Sequence, residues 1–381
     1  MRQLLAILAT LLALSASAFA QADFDTKARF AVLVDQESGT VIFQKDADAS
    51  LEPASMAKLM TLAVVFNEIR SGRLTLDNEF FVSEHAWRTG GAPSGGSTMF
   101  AELNSRIRVE DLIRSVIIQS GNDAAIVLAE GIAGSETSFA AMMNELAEDI
   151  GLNGSYFTNP TGLPDPDMHS TARDLANLAR YLIREFPEYY HYFSEPEMEW
   201  NGIKQSNRNS LVELGIGVDG LKTGHTEAAG YGSVISTDDG GRRLVAVVHG
   251  LDTMAARTEE GRKLITWGAR AFERVDAFPE GKIIGYADVY GGSSASVGLI
   301  GEGDVALYLP RGTRRCLTGT IVYTGPLLPP VSEGQQVAEL RVFCDNNLIQ
   351  TAPLYAAETV DKGDIVRQAT DAIKQLAFGW L

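Results

Sequence analysis

Apolar and polar positions along the chain fall into two periods, and the switch between them outlines the fold. In "ARFAVLVDQESGTVIFQKDA" two β-type runs flank Glu37-Ser38-Gly39, which predicts a hairpin. From Pro53 onward the spacing becomes helical, with Met56, Leu59, Met60, Ala63 and Val64 on one face and the proline suited to the first helical position. The same period returns over Val109 to Ile132, Ser138 to Ile150 and Ser170 to Phe186, where Ser170 or Thr171 would cap the helix. After Gly217 the period shortens: "DGLKTGHT", "YGSVISTDD" and "RRLVAVVHGLD" read as strands, the last two joined by a turn at Asp239-Gly240-Gly241. "ARTEEGRKLITWGARAFERV" reads as helix again. Strands at both ends with helices between predict an α/β (α+β) unit of helices packed on an antiparallel sheet, closing near Phe278-Pro279.

Beyond that point "DVALYLPRG", "TGTIVYTG" and "QVAELRVFC" are rich in Val, Tyr and Phe, broken by Gly and Pro, and without helical period: a small all-β domain over 281–360. The final stretch, 361–381, is helical in pattern, with Ile365, Ala369, Ala372, Ile373, Leu376 and Trp380 on one face and Arg367, Asp371 and Lys374 off it. Such a stripe ending in Phe378, Trp380 and Leu381 suits a helix lying in a lipid headgroup region; docking onto the β-domain is the alternative. At the other end, basic Arg2, apolar Leu4 to Leu14 and the small-x-small Ala18-Phe19-Ala20 have the three parts of a secretory signal peptide, 1–20. The catalytic candidate is then 21–280, in a compartment outside the cytoplasm.

Charge and cysteine content narrow the classes. With a net charge of −17 the chain is a poor nucleic-acid binder, because phosphate contacts need clustered Lys and Arg. Two cysteines, Cys316 and Cys344, make no disulfide scaffold; export permits them to pair, and two free thiols are equally compatible with the sequence. His85, His169, His191 and His249 show no metal-ligand spacing, so neither metal nor cofactor is implied.

Candidate chemistry sits in "LEPASMAKLMT". Residues three apart on a helix share a face, so Lys58 can meet Ser55, and a serine enzyme needs a base beside its hydroxyl. That pair alone is usually an ordinary solvated helix start and far less often a site. Two further segments add to it. "IIQSGNDAA" interrupts an apolar run with Ser120, Gly121 and Asn122, polar groups that cost stability there unless they are bonded; a plain helix junction capped by Ser120 is the simpler account. "DGLKTGHT" places Lys222, Thr223 and Gly224 on a strand beside a turn, which on its own would suit a charged edge strand.

Taken in order, Ser55-x-x-Lys58, Ser120-x-Asn122 and Lys222-Thr223-Gly224 resemble the penicillin-binding proteins and serine β-lactamases, whose motif set this is. "GGSTMF", "VIIQSGNDAAI", "STARDLA", "NRNSL", "VDGLKTG" and "LITWGARAFE" are similar to the D-alanyl-D-alanine carboxypeptidases of the low-molecular-weight penicillin-binding group, over about Phe24 to Val275. The resemblance implies a β-lactamase/transpeptidase-like fold, followed by a β-domain and an amphipathic anchor. It also implies removal of the terminal D-alanine from peptidoglycan stem peptides through an acyl-enzyme, covalent binding of β-lactam antibiotics, and a periplasmic position on the outer face of the inner membrane. Carried over residue by residue, Ser55 would be the nucleophile and Lys58 its base. Ser120, alone or with Lys222, would hand a proton to the leaving amine. Asn122 would hold the acyl side chain, and main-chain N–H groups of Ser55 and His225 would form the oxyanion hole. Thr223 and Arg257 would bind the terminal carboxylate, and a helix-capping role is the alternative for Arg257. The position after Lys-Thr-Gly, often Thr in these enzymes, is His225 here, which leaves the main-chain donor intact.

Other readings share these motifs. A class A β-lactamase would add a deacylating Glu-x-x-Leu-Asn segment between Ser120 and Lys222, and no glutamate here is followed by that pattern. A DD-endopeptidase cutting cross-links would use the same residues, and a sensor acylated without turnover would keep Ser and Lys.

Overall fold

A computed structural model describes residues 24–238, 242–310, 317–344, 347–369 and 371. The signal-peptide segment 1–20, the turn at 239–241, Cys316 and the tail from Ala372 lie outside the described residues. The chain forms two compact units, one built on Asp25–Glu37 and Phe43–Arg270, the other on Ser38–Ile42 with Ala271 onward.

The hairpin forms as expected, with β1 at Phe30–Asp35 in the first unit and β2 at Val41–Lys45 divided between the two after Ile42. Two short ribbons follow, β3 (Glu79–Phe81) with β4 (Arg106–Arg108), and β5 (Glu197–Trp200) with β6 (Ile203–Ser206). The three late strands are β7 (Val218–Thr226), β8 (Gly230–Asp238) and β9 (Arg243–Leu251). The sheet order is β2-β1-β9-β8-β7. Pairing is antiparallel from β1 to β9, β9 to β8 and β8 to β7, with Val32 opposite Val247, Ile235 opposite Ala246 and Lys222 opposite Val234. All of β1 is buried, a burial pattern that requires cover on both faces. The helix α7 (Met254–Ala271) comes close enough that a Cβ on Gly261 would fall 2.5 Å from Ile235 Cδ1, and one on Gly268 2.4 Å from Leu33 Cδ2. Because β7 ends the order, it presents an unpaired edge.

Helix α1 (Lys58–Arg70) is buried nearly all round, as expected of a helix that runs through a core rather than over it. It starts later than the sequence suggests. Pro53 precedes a single 3₁₀ turn, Ala54–Ala57, in which Met56 N–H closes on Pro53 O at 3.1 Å, and α-geometry begins only at Lys58. After the short α2 (Glu84–Thr89), the long helical pattern from Val109 splits into α3 (Val109–Ile118) and α4 (Asn122–Ala133), with α5 at Glu136–Asp149. The helix α6 (Ala172–Glu185) is capped by Thr171, whose hydroxyl accepts from Asp174 N–H at 3.0 Å.

The second unit is β-rich. It contains β10 (Phe272–Phe278), β11 (Gly285–Asp288), β12 (Ser296–Ile300), β13 (Val305–Pro310), β14 (Leu317–Val322), β15 (Gln336–Cys344) and β16 (Asn347–Ala356). "FERV" thus opens a strand paired with β13 rather than ending α7 as its sequence suggests. Val297, Leu299, Val305, Leu340, Val342 and Leu354 share one core. Buried Gln350 staples it, accepting from Tyr308 N–H at 2.7 Å and donating to Ala306 O at 3.0 Å. At its C-terminal end Ile365 and Ala369 of the expected stripe are exposed. No described helix is long and apolar enough to cross a membrane.

Candidate active site

Three separate elements converge on the 3₁₀ turn before α1. Ala54 takes a left-handed φ of 49°, and two glycines let neighbours close on it. A Cβ on Gly162 would fall 1.9 Å from Ala54 O, and Gly162 itself has a φ of 72°. A Cβ on Gly224 of β7 would meet Pro53 O at 3.0 Å and Ala54 Cβ at 3.2 Å. Side chains at either glycine would push a loop or an edge strand off Ser55.

The helix break between α3 and α4 supplies the third side. Ser120 sits in it with a φ of 66° and does not cap α4, since Gly121 occupies the cap position. Its hydroxyl is buried and meets no protein partner. Asn122 donates its N–H to Ser97 O at 2.8 Å, and fully buried Asp123 accepts from Thr98 Oγ1 at 2.5 Å, Met99 N at 3.0 Å and Ala101 N at 3.1 Å. Asp123 is what shapes "GGSTMF" around Asn122.

Lys58 is the hub. Its Nζ lies 3.2 Å from Ser55 Oγ, 2.7 Å from Asn122 Oδ1 and 2.5 Å from Thr161 O, and the residue is 0% exposed. Burial, reinforced by the Arg208 guanidinium and opposed by Asp123, pushes its amine down to about 7. A neutral amine has two N–H groups for the Asn122 and Thr161 oxygens and a lone pair left for the Ser55 hydroxyl proton. Lys222 is buried as well. Burial and then the charges of Lys58, Arg208 and Arg257 hold it well below the ordinary lysine range. Two lysines in one dry site cannot both carry full charge cheaply, so the arrangement favours proton exchange.

Beside this hub lie the remaining expected residues. Thr223 is buried, and His225 is exposed with its ring stacked on Tyr231 at 3.8 Å. Arg257 does not cap its helix: Thr253 Oγ1 accepts from Ala256 N there. The Arg257 guanidinium instead donates to Arg208 O at 3.2 Å and lies 6.0 Å from the Tyr231 ring centroid. Among the described residues no three His, Cys, Asp or Glu side chains gather as a metal site. His85 pairs with Glu136 at 2.7 Å, while His169 and His191 bond main-chain carbonyls.

Lys58 and Asn122 therefore meet beside Ser55, Gly224 packs on the same turn, and Lys222 lies within reach of the Lys58 charge, bringing distant stretches together beside an edge strand. A family model described as D-alanyl-D-alanine carboxypeptidase matches residues 16–253, covering each of the three motifs. The chain belongs to this family. A second model, the C-terminal domain of penicillin-binding protein 5, matches residues 272–362. D-alanyl-D-alanine carboxypeptidase DacD of Escherichia coli (strain K12) is 38% identical over 343 residues, covering 89% of this chain and 88% of that protein. DacA of the same organism is 35% identical, covering 92% and 87%. The crystal structure of penicillin-binding protein 5 from Haemophilus influenzae is 36% identical with a TM-score of 0.71, covering 89% of this chain and 99% of that one. As a member, the protein is a serine hydrolase of carboxypeptidase type, in a family that acts on peptidoglycan peptides and binds β-lactams.

Three contributors escape the motif reading. Arg208 lies within "NRNSL" but acts through space on both lysines, and Thr161 contributes a carbonyl, which any residue type could supply. Gly162 has a detectable signal, a glycine directly after Pro160-Thr161, though nothing in the sequence says what it must approach.

Proposed function

We propose that Ser55 is the nucleophile of a periplasmic D-alanyl-D-alanine carboxypeptidase and Lys58 its general base. Ser55 Oγ attacks the carbonyl carbon between the last two D-alanines as Lys58 takes the hydroxyl proton. The C–N bond then breaks, Ser120 with Lys222 delivers a proton to the departing D-alanine nitrogen, and water releases the acyl group. Main-chain N–H groups of Ser55 and His225 receive the oxyanion. Thr223 and Arg257 hold the terminal carboxylate, Asn122 the acyl side chain, and the peptide lies along the free edge of β7. The observation that carries this reading is the buried Lys58 Nζ at 3.2 Å from Ser55 Oγ, its amine pushed down to about 7. The buried, unpartnered hydroxyl of Ser120 in the same cluster supports the second proton transfer. Ser55→Ala is expected to abolish both D-alanine release and covalent penicillin labelling while the thermal transition is kept. Labelling of the variant at the wild-type level would overturn the assignment.

The C-terminal segment is part of the same proposal: it rests on the lipid surface of the inner membrane from the periplasmic side. Exposed Ile365 and Ala369, both on the apolar stripe, support it.

A further inference from the structure

The two groups given the second proton transfer are not held by any side chain. Ser120 Oγ meets no protein partner, and among the described residues Lys222 Nζ has one hydrogen bond, to the adjacent Thr223 O at 3.2 Å. Lys58, by contrast, is tied across the site by the Asn122 and Thr161 oxygens. Where Ser120 and Lys222 stand relative to each other therefore follows from their backbones. One lies in the break between α3 and α4, the other on the edge strand β7.

One short segment, 207–209, bonds to both backbones. Arg208 N–H donates to Ile118 O at 3.0 Å, two residues before Ser120. Asn209 is 3% exposed, and its Nδ2 donates to Gly220 O at 2.8 Å, two residues before Lys222. The segment is itself anchored. Asn207 N–H donates to Pro196 O at 2.7 Å, its Nδ2 donates to Glu195 O at 2.9 Å, and its Oδ1 accepts from Asn209 N–H at 2.9 Å. Arg208 O accepts from the Arg257 guanidinium, and Asn209 Oδ1 accepts from Leu211 N–H, capping the turn Ser210–Leu214. Around Gly220 there is little slack, since a Cβ there would fall 2.7 Å from Tyr190 Oη, which in turn donates to Asp219 Oδ1 at 2.9 Å.

We propose, on the basis of the proton route given under the proposed function, that Asn209 is a positioning residue for leaving-group protonation. Its amide sets β7, and with it Lys222, against Ser120, while the Ser55–Lys58 pair is held separately. As the C–N bond of an amide breaks, the electron pair goes to nitrogen, which must gain a proton to leave. When the scissile bond is a thioester, the pair goes to sulfur, which leaves as a thiolate with no proton. Attack by Ser55 is common to both, so the two substrates separate the positions of Ser120 and Lys222 from that of the nucleophile.

The test compares kcat/KM for an acyl-D-alanyl-D-alanine with that for the same acyl-D-alanine joined as a thioester to a mercaptocarboxylate. Asn209→Asp keeps an oxygen for Leu211 N–H and loses the donor to Gly220 O; Asn209→Ala brings no new charge. Because misplacing a reacting group by about 1 Å can cost ~10²-fold, both variants are expected to lose about ten- to a hundredfold on the amide and to stay within about twofold of wild type on the thioester. Ser120→Ala should show the same split. Equal losses on the two substrates, or an amide rate kept at the wild-type value, would overturn the proposal. So would loss of the folded protein in both Asn209 variants, which would assign the residue to stability. If Ser120→Ala itself shows no split, the proton route fails and takes the role of Asn209 with it. If Ser120→Ala splits the substrates and the Asn209 variants do not, the role of Asn209 fails alone.

Discussion

A lysine serves as a base only when it is neutral, and the surroundings of Lys58 arrange this by removing water and placing Arg208 nearby. Because the amine is pushed down to about 7, the unprotonated fraction rises through that pH, and catalysis should rise with it. The profile of kcat/KM for D-alanine release is expected to show an ascending limb with a midpoint near 7. Arg208→Gln removes one of the charges that lowers both lysines, so its limb should move to higher pH. A limb that stays in place in the variant would mean that burial alone sets the proton affinity of Lys58. The motif residues were legible in the sequence because their chemistry is carried by side-chain identity. Arg208 and the Thr161 carbonyl were not, because their effect depends on distance, which spacing along the chain does not encode.

At the scale of elements, the periodicity located most of the helices and strands of the first unit, and its failures share a cause. Where tertiary contacts impose a local conformation, the pattern misleads: the continuous apolar run from Val109 hides the break that exposes Ser120, and Pro53 is followed by a 3₁₀ turn rather than by α-helix. The strand β16 is hidden for another reason, since Pro353 within it argues against a central strand, yet it pairs with both β12 and β15. The turn carrying Ser55 is held by close backbone approaches, and these make the element testable. Gly162→Ala would set a Cβ 1.9 Å from Ala54 O at a φ that strains any side chain. Relieving the overlap must move the loop or the turn, and a shift of about 1 Å in a reacting group can cost ~10²-fold in rate. The second-order rate of penicillin acylation is therefore expected to fall by about that factor, while the far-ultraviolet circular dichroism stays at the wild-type signal. An acylation rate within twofold of wild type would show that the turn absorbs the methyl group elsewhere.

Over the whole molecule, the two units divide the chemistry from the rest, since every residue given a catalytic or substrate role lies within Asp25–Glu37 and Phe43–Arg270. Activity should then be indifferent to how the chain ends. Residue Lys362 still belongs to the folded second unit, bridged to Gly292, and Gly363 N–H donates to Gly291 O at 2.9 Å. Beyond it, exposed Ile365 and Ala369 begin the apolar stripe that the sequence continues to Trp380. If the tail attaches as proposed, a short helix with mixed charge buries little apolar area, so its hold on a lipid surface would be reversible and weakened by salt. Cutting the chain after Lys362 is expected to move the enzyme from the membrane fraction into the soluble periplasmic fraction, with kcat/KM for D-alanine release unchanged. Washing the membranes of the full-length form in high salt should release part of it in the same way. If the truncated enzyme stays with the membrane, attachment lies elsewhere on the surface. If the β-rich unit of the truncated enzyme instead unfolds at a lower temperature than in the full-length form, the tail is packing against that unit, and the apolar face is spent on the protein instead of the bilayer.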